Sequence, residues 1–102
     1  MPSAVVQIMP DGELYMNAEC TSLLFGVSVS QTEQILRKGS LPELVRLSGV
    51  RRRKRYEAIA GSTDIDIFGL LSYYARIDGM ELIYDNGEGT RRVLVDVPGG
   101  AS

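Results

Sequence analysis

Apolar residues recur at intervals of three and four between positions 67 and 77, the spacing of one face of an α-helix. They are Ile67, Leu70, Leu71, Tyr74 and Ile77. This is the strongest helical period in the chain, and Asp78-Gly79 follows it as a stop signal. Asp64 or Ser62 is suited to cap its first turn, because a short polar side chain can accept from the free N–H groups there. We therefore predict a helix over this segment.

Two shorter helices are predicted earlier in the chain, separated by a tight turn. Asn17 is a good N-cap for the first, and Gly26 can end it because glycine adopts the left-handed conformation found at helix C-termini. Ser28 or Ser30 then caps a second helix that runs to about Lys38. The expected buried stripe of this second helix consists of Thr32, Ile35 and Leu36.

Three β-hairpins are predicted from short apolar runs that flank turn residues. They pair residues 4–9 with 13–16, 44–47 with 51–59, and 80–84 with 91–97. The turns are Pro10-Asp11-Gly12, Ser48-Gly49-Val50 and the glycine-rich segment 85–89. Val93, Val95 and Val97 alternate with other residues, so one face of the last strand is apolar and needs a cover. Either strand 4–9 pairs with strand 91–97, or this face forms a homodimer or a partner-protein surface.

The amino-acid composition excludes several classes of function. The chain has 102 residues, no histidine and a single cysteine, Cys20. Without histidine, Ser/His/Asp and Cys/His catalysis and the usual zinc sites are excluded. No apolar run approaches the roughly 18 residues of a membrane helix, and the first residues do not form a signal peptide. We expect a cytoplasmic protein that is not an enzyme, has no cofactor or bound metal, and does not associate with a membrane.

The net charge of −2 hides a strong asymmetry. Residues 28–60 contain eight basic and three acidic side chains, a net charge of +5. The rest of the chain contains three basic and ten acidic side chains, a net charge of −7. A basic segment within an acidic frame favours contact with a polyanion, such as a phosphate backbone, at one place on the surface.

The order helix, glycine-containing turn, helix and basic hairpin is typical of a winged helix-turn-helix. Residues 15–60 resemble the excisionase and MerR-type DNA-binding domain family. The resemblance rests on Tyr15-Met16-Asn17, Leu24-Phe25-Gly26-Val27-Ser28, Thr32, Ile35-Leu36-Arg37-Lys38-Gly39, Leu41-Pro42, and Arg46-Leu47-Ser48-Gly49 leading into Arg51-Arg52-Arg53. The family has a Leu-Leu-Gly-Val-Ser turn and a Gly-x-Leu-Pro exit into its wing. The chain departs from it in having Thr21 and Ser22 in the first helix and Val29 and Ser30 after the turn.

We therefore expect an α+β fold, a winged helix-turn-helix with added β-hairpins at both ends. The expected parts are an N-terminal hairpin (1–16), the winged core (17–78), a C-terminal hairpin (79–97) and a flexible tail (98–102), all in one compact domain. The resemblance implies a bacterial or phage protein that regulates transcription or directs recombination. It also implies possible partners, namely a second copy on DNA, or an integrase or other protein.

Sequence-specific binding to double-stranded DNA is the expected function, and two groups of residues are expected to carry it. On the second helix they are Ser28, Ser30, Gln31, Gln34, Arg37 and Lys38. On the wing they are Arg46, Arg51, Arg52, Arg53, Lys54 and Arg55. Glutamine and arginine suit base reading because they form bidentate bonds to adenine and guanine, and arginines on a strand suit phosphate contact. The alternative is a protein-protein interaction module on a winged-helix fold that has lost groove binding.

Overall fold

The computed structural model describes residues 3–96, which form four helices and four strands. In chain order these are β1 (Ser3–Ile8), β2 (Leu14–Met16), α1 (Ala18–Phe25), α2 (Val29–Lys38), α3 (Glu43–Ala60), α4 (Ile67–Ile77), β3 (Glu81–Asp85) and β4 (Arg91–Val95). The expected α+β class is confirmed. Val97 and the tail 98–102 lie outside the described residues, so the expectations for them are not addressed.

The four strands form one mixed sheet in the order β2-β1-β3-β4. Both terminal hairpins are confirmed, since β1 pairs with β2 and β3 pairs with β4 in antiparallel fashion. The hairpins join through a parallel β1–β3 ladder, in which Ala4 lies opposite Leu82 and Val6 opposite Tyr84. The suggested pairing of the first strand with the last is therefore wrong, because β3 lies between them.

The core lies between one face of this sheet and the helices α1 and α4. Its buried residues from the strands are Ala4, Val6, Leu82 and Val95, and those from the helices include Leu23, Leu70, Leu71 and Ala75. Because side chains alternate along a strand, Val5 and Ile83 belong to the other face of the sheet. Val93, which pairs with Ile83, continues that face and is 49% exposed, whereas Val95 is buried in the core. The irregular register between Leu82 and Ile83 puts the two valines on opposite faces, so the expectation that they share one face is wrong.

Asn17 ties the first helix to the first strand. Its Oδ1 accepts from the backbone N–H of Cys20 at 2.8 Å, which caps α1, and from that of Val5 at 3.0 Å. Its Nδ2 donates to the carbonyl of Ser3 at 2.9 Å. One amide side chain thus satisfies free backbone groups of a helix N-terminus and of a strand, and fixes their relative position.

The first two helices and the turn between them confirm the expectation from sequence. Gly26 ends α1 in the left-handed conformation, and Ser28 caps α2. Two details differ. Leu36, expected in the buried stripe of α2, is 57% exposed. The cap of α4 is Asp66, whose side chain accepts from the backbone N–H of Phe68, in place of Asp64 or Ser62.

The expected hairpin over 44–59 is wrong, because residues 43–60 form the single helix α3. The supposed turn at Gly49 is a place where another helix comes close: a Cβ there would lie 2.9 Å from the Phe25 ring of α1. Arginine and lysine are good helix formers, so the basic run does not oppose a helix. Two ion pairs at helical spacing, Glu43–Arg46 and Arg53–Glu57, add to its stability.

The packed face of α3 explains why its helical period is weak in the sequence. Val45, Gly49, Arg52 and Tyr56 recur at intervals of four, three and four, and all four are half-buried. Tyr56 packs on Tyr73 of α4, with ring centroids 5.7 Å apart. A glycine and an arginine occupy the middle of this stripe, so a search for apolar residues at helical spacing does not detect it.

The contacts of Asn17 lead to a stability prediction. Replacing Asn17→Ala removes a helix cap and two hydrogen bonds to β1, so we expect the free energy of unfolding to fall by about 2–3 kcal/mol. Asn17→Asp keeps the acceptor oxygen but turns a carboxylate oxygen towards the Ser3 carbonyl in place of the donor, so it should cost about 1–2 kcal/mol, less than Asn17→Ala. Urea unfolding followed by circular dichroism measures both. Equal losses for the two variants would contradict the bridging role of this side chain.

Candidate nucleic-acid interface

The N-terminus of α2 uses two of the expected DNA-binding side chains for its own cap. The Ser28 Oγ accepts from the backbone N–H of Gln31 at 3.1 Å, and the Gln31 Oε1 accepts from the backbone N–H of Ser28 at 3.2 Å. This reciprocal pair is a capping box. Ser28 and Gln31 are exposed, but the Ser28 hydroxyl and the Gln31 amide oxygen are engaged in holding the helix start.

The outward face of α2 presents the other polar candidates. Ser30, Gln34 and Arg37 are exposed and spaced at four and three residues, so they lie along one face of the helix. Glu33 lies on the same face and brings a negative charge to it. Lys38 is exposed at the C-terminal end of the helix. With Gln31 and Gln34 of the same helix, it lines a cavity of about 250 Å³ that Pro42 and Val45 at the start of α3 also line.

On α3, Arg52 packs against the protein and is only 20% exposed as a side chain. Its Nη1 donates to the carbonyl of Leu23 at 2.9 Å and to the Asp78 Oδ2 at 3.1 Å, and its Nη2 donates to the Asp78 Oδ1 at 3.3 Å. The guanidinium carbon lies 4.2 Å from the centroid of the Tyr74 ring, within cation–π distance. Arg52 therefore joins α1, α3 and α4, and its guanidinium, expected on a wing facing DNA, is directed at groups of the protein itself.

Arg46 and Arg53 each have a carboxylate partner on the same helix. Arg46 donates through Nε and Nη2 to both oxygens of Glu43, at 3.0 and 2.6 Å. Glu43 raises the pKa of Arg46, and the bonds from Arg46 lower the pKa of Glu43. Arg53 donates through Nε to the Glu57 Oε1 at 3.2 Å. Each pair places a carboxylate beside a guanidinium and so reduces the positive charge offered to a polyanion.

The other basic side chains of the run have no such partner. They are the exposed residues Arg51, Lys54 and Arg55. The four ion pairs found within residues 3–96 involve Arg46, Arg52, Arg53 and Arg91, so no carboxylate of that region lies within 4 Å of these three cations. Arg51 and Arg55 are one helical turn apart. With Ser48, Arg52, Tyr74 and Ile77 they line a cleft of about 200 Å³ between α3 and α4.

The helix changes which basic side chains act together. On a strand, Arg51, Arg53 and Arg55 would share one face. On a helix, residues two apart differ by about 200°, so Arg53 lies nearly opposite Arg51, whereas Arg55 lies within about 40° of it. The cations therefore do not project from a ribbon, and the wing as a structural element is absent from residues 43–60.

The cleft between α3 and α4 also contains residues that were not expected in the interface. Ser48 was assigned to a turn, and Tyr74 and Ile77 to the buried stripe of α4. Tyr74 is buried, and its hydroxyl donates to the carbonyl of Arg52 at 2.8 Å. Ile77 is 58% exposed at the edge of the cleft. No local signal in the sequence could place them here, because the cleft exists only once α3 is a helix.

The thiol of Cys20 is the other reactive group to consider. Cys20 is fully buried, and burial raises the pKa of its thiol to about 12, so the nucleophilic thiolate is strongly disfavoured at neutral pH. Within residues 3–96, no three Cys, Asp or Glu side chains are grouped closely enough to hold a metal ion. The same region contains no helix with the length and apolar character needed to span a membrane.

Comparison with protein-family models, with curated proteins and with solved structures finds no match to this chain. The resemblance to the excisionase and MerR-type family thus rests on the residues quoted from positions 15–60. Of the segments that carry it, those in α1, the turn and α2 have the expected local structure. The segment assigned to the wing does not.

The contacts of Arg52 predict a contrast between neighbours in the basic run. Arg52→Ala removes three hydrogen bonds and leaves Asp78 without its partner, so we expect a loss of about 2–4 kcal/mol in the free energy of unfolding. Arg51→Ala, at an exposed position, should change it by less than about 0.5 kcal/mol. Urea denaturation measures both changes in the free energy of unfolding, provided that the m-value is the same in each variant. Arg52→Lys should lie between them, because lysine keeps the charge but not the planar fork. A tolerated Arg52→Ala would contradict this assignment.

Proposed function

We propose that this chain binds double-stranded DNA and catalyses no reaction of its own. The observation that carries the proposal is the set of exposed cations Arg51, Lys54 and Arg55, which have no carboxylate partner within residues 3–96. Arginine and lysine without a partner can each neutralise a phosphate of a nucleic-acid backbone. The polar face of α2 supports a duplex as the target, because Gln34 and Arg37 are suited to the edges of adenine and guanine in the major groove.

We infer a division of labour between α2 and α3, because Gln34 and Lys38 of α2 line one cavity with Pro42 and Val45 at the start of α3. Arg51 and Arg55 lie about 12 and 18 Å along the helix axis from its first residue, at a rise of about 1.5 Å per residue. The major groove of B-form DNA is about 12 Å wide. With α2 in the groove, α3 would place its cations against the flanking sugar–phosphate backbone. This arrangement replaces the expected wing, and a role in transcription or recombination is what the family resemblance adds to the proposal.

The salt dependence of DNA binding tests the phosphate contacts. For the triple variant Arg51→Gln, Lys54→Gln, Arg55→Gln, we expect the slope of log K against log salt to become shallower by up to about 3, since each neutralised phosphate contributes about 0.9. Fluorescence anisotropy of a labelled duplex, titrated between 50 and 300 mM KCl, measures it. The matched control is Arg76→Gln, Arg91→Gln, Arg92→Gln, which removes the same charge from α4 and β4. If both triple variants lose affinity equally, net charge and not the face of α3 is responsible.

A second experiment tests base reading by α2. Duplexes selected from a random pool by the wild-type protein should bind Gln34→Ala and Arg37→Ala about 5- to 150-fold more weakly, since a bidentate base contact contributes about 1–3 kcal/mol. Each variant should also accept more bases at one position of the selected site. Gln31→Ala is the control: it should lower stability through the capping box and leave the preferred sequence unchanged. Unaltered preference in all three variants would remove α2 from the proposal.

The alternative function, a protein-protein interaction module, is favoured by the outer face of the sheet. Val5, Ile83 and Val93 lie side by side across three strands, and Val93 is 49% exposed. Tyr15, in the adjacent strand, is 53% exposed. The salt titration also distinguishes this candidate, because a wild-type slope near zero would leave no role for phosphate contacts and would favour a protein partner.

A further inference from the structure

An apolar groove lies on the side of α3 away from Arg51 and Arg55. It has a volume of about 320 Å³, within the range of small-molecule sites. Its walls include Leu24 and Phe25 at the end of α1, Val50 of α3, Ile65 in the loop before α4, and Ile67 at the start of α4. All these side chains are at least partly exposed, so the groove is open to a ligand.

Two arginines contribute to the lining of this groove. Arg46 and Arg53 both line it, and their side chains are 51% and 63% exposed. They are seven residues apart, two turns of a helix, and therefore share one face of α3. An apolar cavity with a few convergent polar groups is the usual architecture of a small-molecule site.

The two arginines are not equally free. Arg46 uses both Nε and Nη2 to hold Glu43. Within residues 3–96, the Arg53 side chain makes a single hydrogen bond, from Nε to Glu57, so both of its terminal nitrogens are left for another acceptor. A guanidinium binds a carboxylate best through two parallel N–H bonds. Arg53 is therefore the anchor, whereas Arg46 is held by Glu43.

We propose that this groove binds a small apolar carboxylic acid, with its hydrocarbon part against the α1 and α4 walls and its carboxylate on Arg53. The two free terminal nitrogens of Arg53 favour an acid over a neutral apolar molecule, and the size of the groove selects a compact aromatic or short aliphatic body. The proposal does not depend on DNA binding, because Arg51, Lys54 and Arg55 do not line the groove.

Binding of 2-naphthoate tests this site, with 2-naphthalenemethanol as the uncharged analogue. The chain contains no tryptophan, so the naphthalene emission can be followed without overlap from an indole. We expect one molecule of 2-naphthoate per chain, bound at least tenfold more tightly than the alcohol. Arg53→Gln should weaken the acid at least tenfold and change binding of the alcohol by less than twofold. Lys54→Gln, which removes the same charge from the next residue, should leave both unchanged.

A filling substitution locates the ligand. Val50→Phe places a ring in the groove and should abolish binding of both compounds, with the fold checked by circular dichroism. If that variant fails to fold, chemical-shift changes in the wild-type protein, confined to residues around Leu24, Val50 and Ile67, supply the same information. No binding of either compound, equal affinities for acid and alcohol, or an unchanged affinity in Arg53→Gln would each overturn the proposal. Binding only of an amphipathic peptide would likewise overturn it, in favour of a protein partner.

Discussion

The arrangement of the helices depends on the contacts of one guanidinium group. Arg52 binds the carbonyl of Leu23 near the end of α1 and the carboxylate of Asp78 just after α4, while its own backbone carbonyl accepts from Tyr74. A charged group that is 20% exposed needs such partners, because an unpaired charge at that depth would be costly. The turn after α1 leaves room for it: a Cβ at Gly26 would lie 2.5 Å from the Arg52 Nε. Glycine is thus required there both for its positive φ of 71° and for the space.

The elements with complete local signals could be predicted from the sequence. The first helix has a polar cap and a glycine stop, and α4 has an apolar period; both are present in the structure. The third helix, α3, could not be predicted by the same reasoning, because its packed face contains Gly49 and Arg52 where apolar residues were expected. The packing of Gly49 depends on Phe25, and that of Arg52 on Asp78. Both partners are distant in sequence, so no local window contains the information that makes this segment a helix.

The sheet illustrates the same limit for non-local pairing. Each terminal hairpin was evident from its own turn residues, but the ladder that joins them, β1 with β3, connects residues about eighty positions apart. Burial decides between the possible neighbours. With β1 and β3 at the centre of the sheet, Leu82 is completely buried beside Ala4, and Val95 of the edge strand is buried on the same face. The candidate site was predictable to a similar degree: the residue types and the exposed face of α2 were evident, whereas the grouping of the cations on α3 was not.

Helical geometry also explains why the basic residues of α3 differ in their contacts: some form ion pairs, one packs against the protein and others have no carboxylate partner within residues 3–96. On a helix, a carboxylate can pair with a basic side chain three or four residues away, because the two lie on the same flank. Glu43 therefore pairs with Arg46, and Glu57 with Arg53. Both pairs fall on the flank that borders the apolar groove. Arg51 and Arg55 lie on the opposite flank, beyond the reach of either glutamate. Arg52, between the flanks, faces the protein. The distribution of positive charge over this surface is therefore set by the positions of two acidic residues as much as by the number of basic ones.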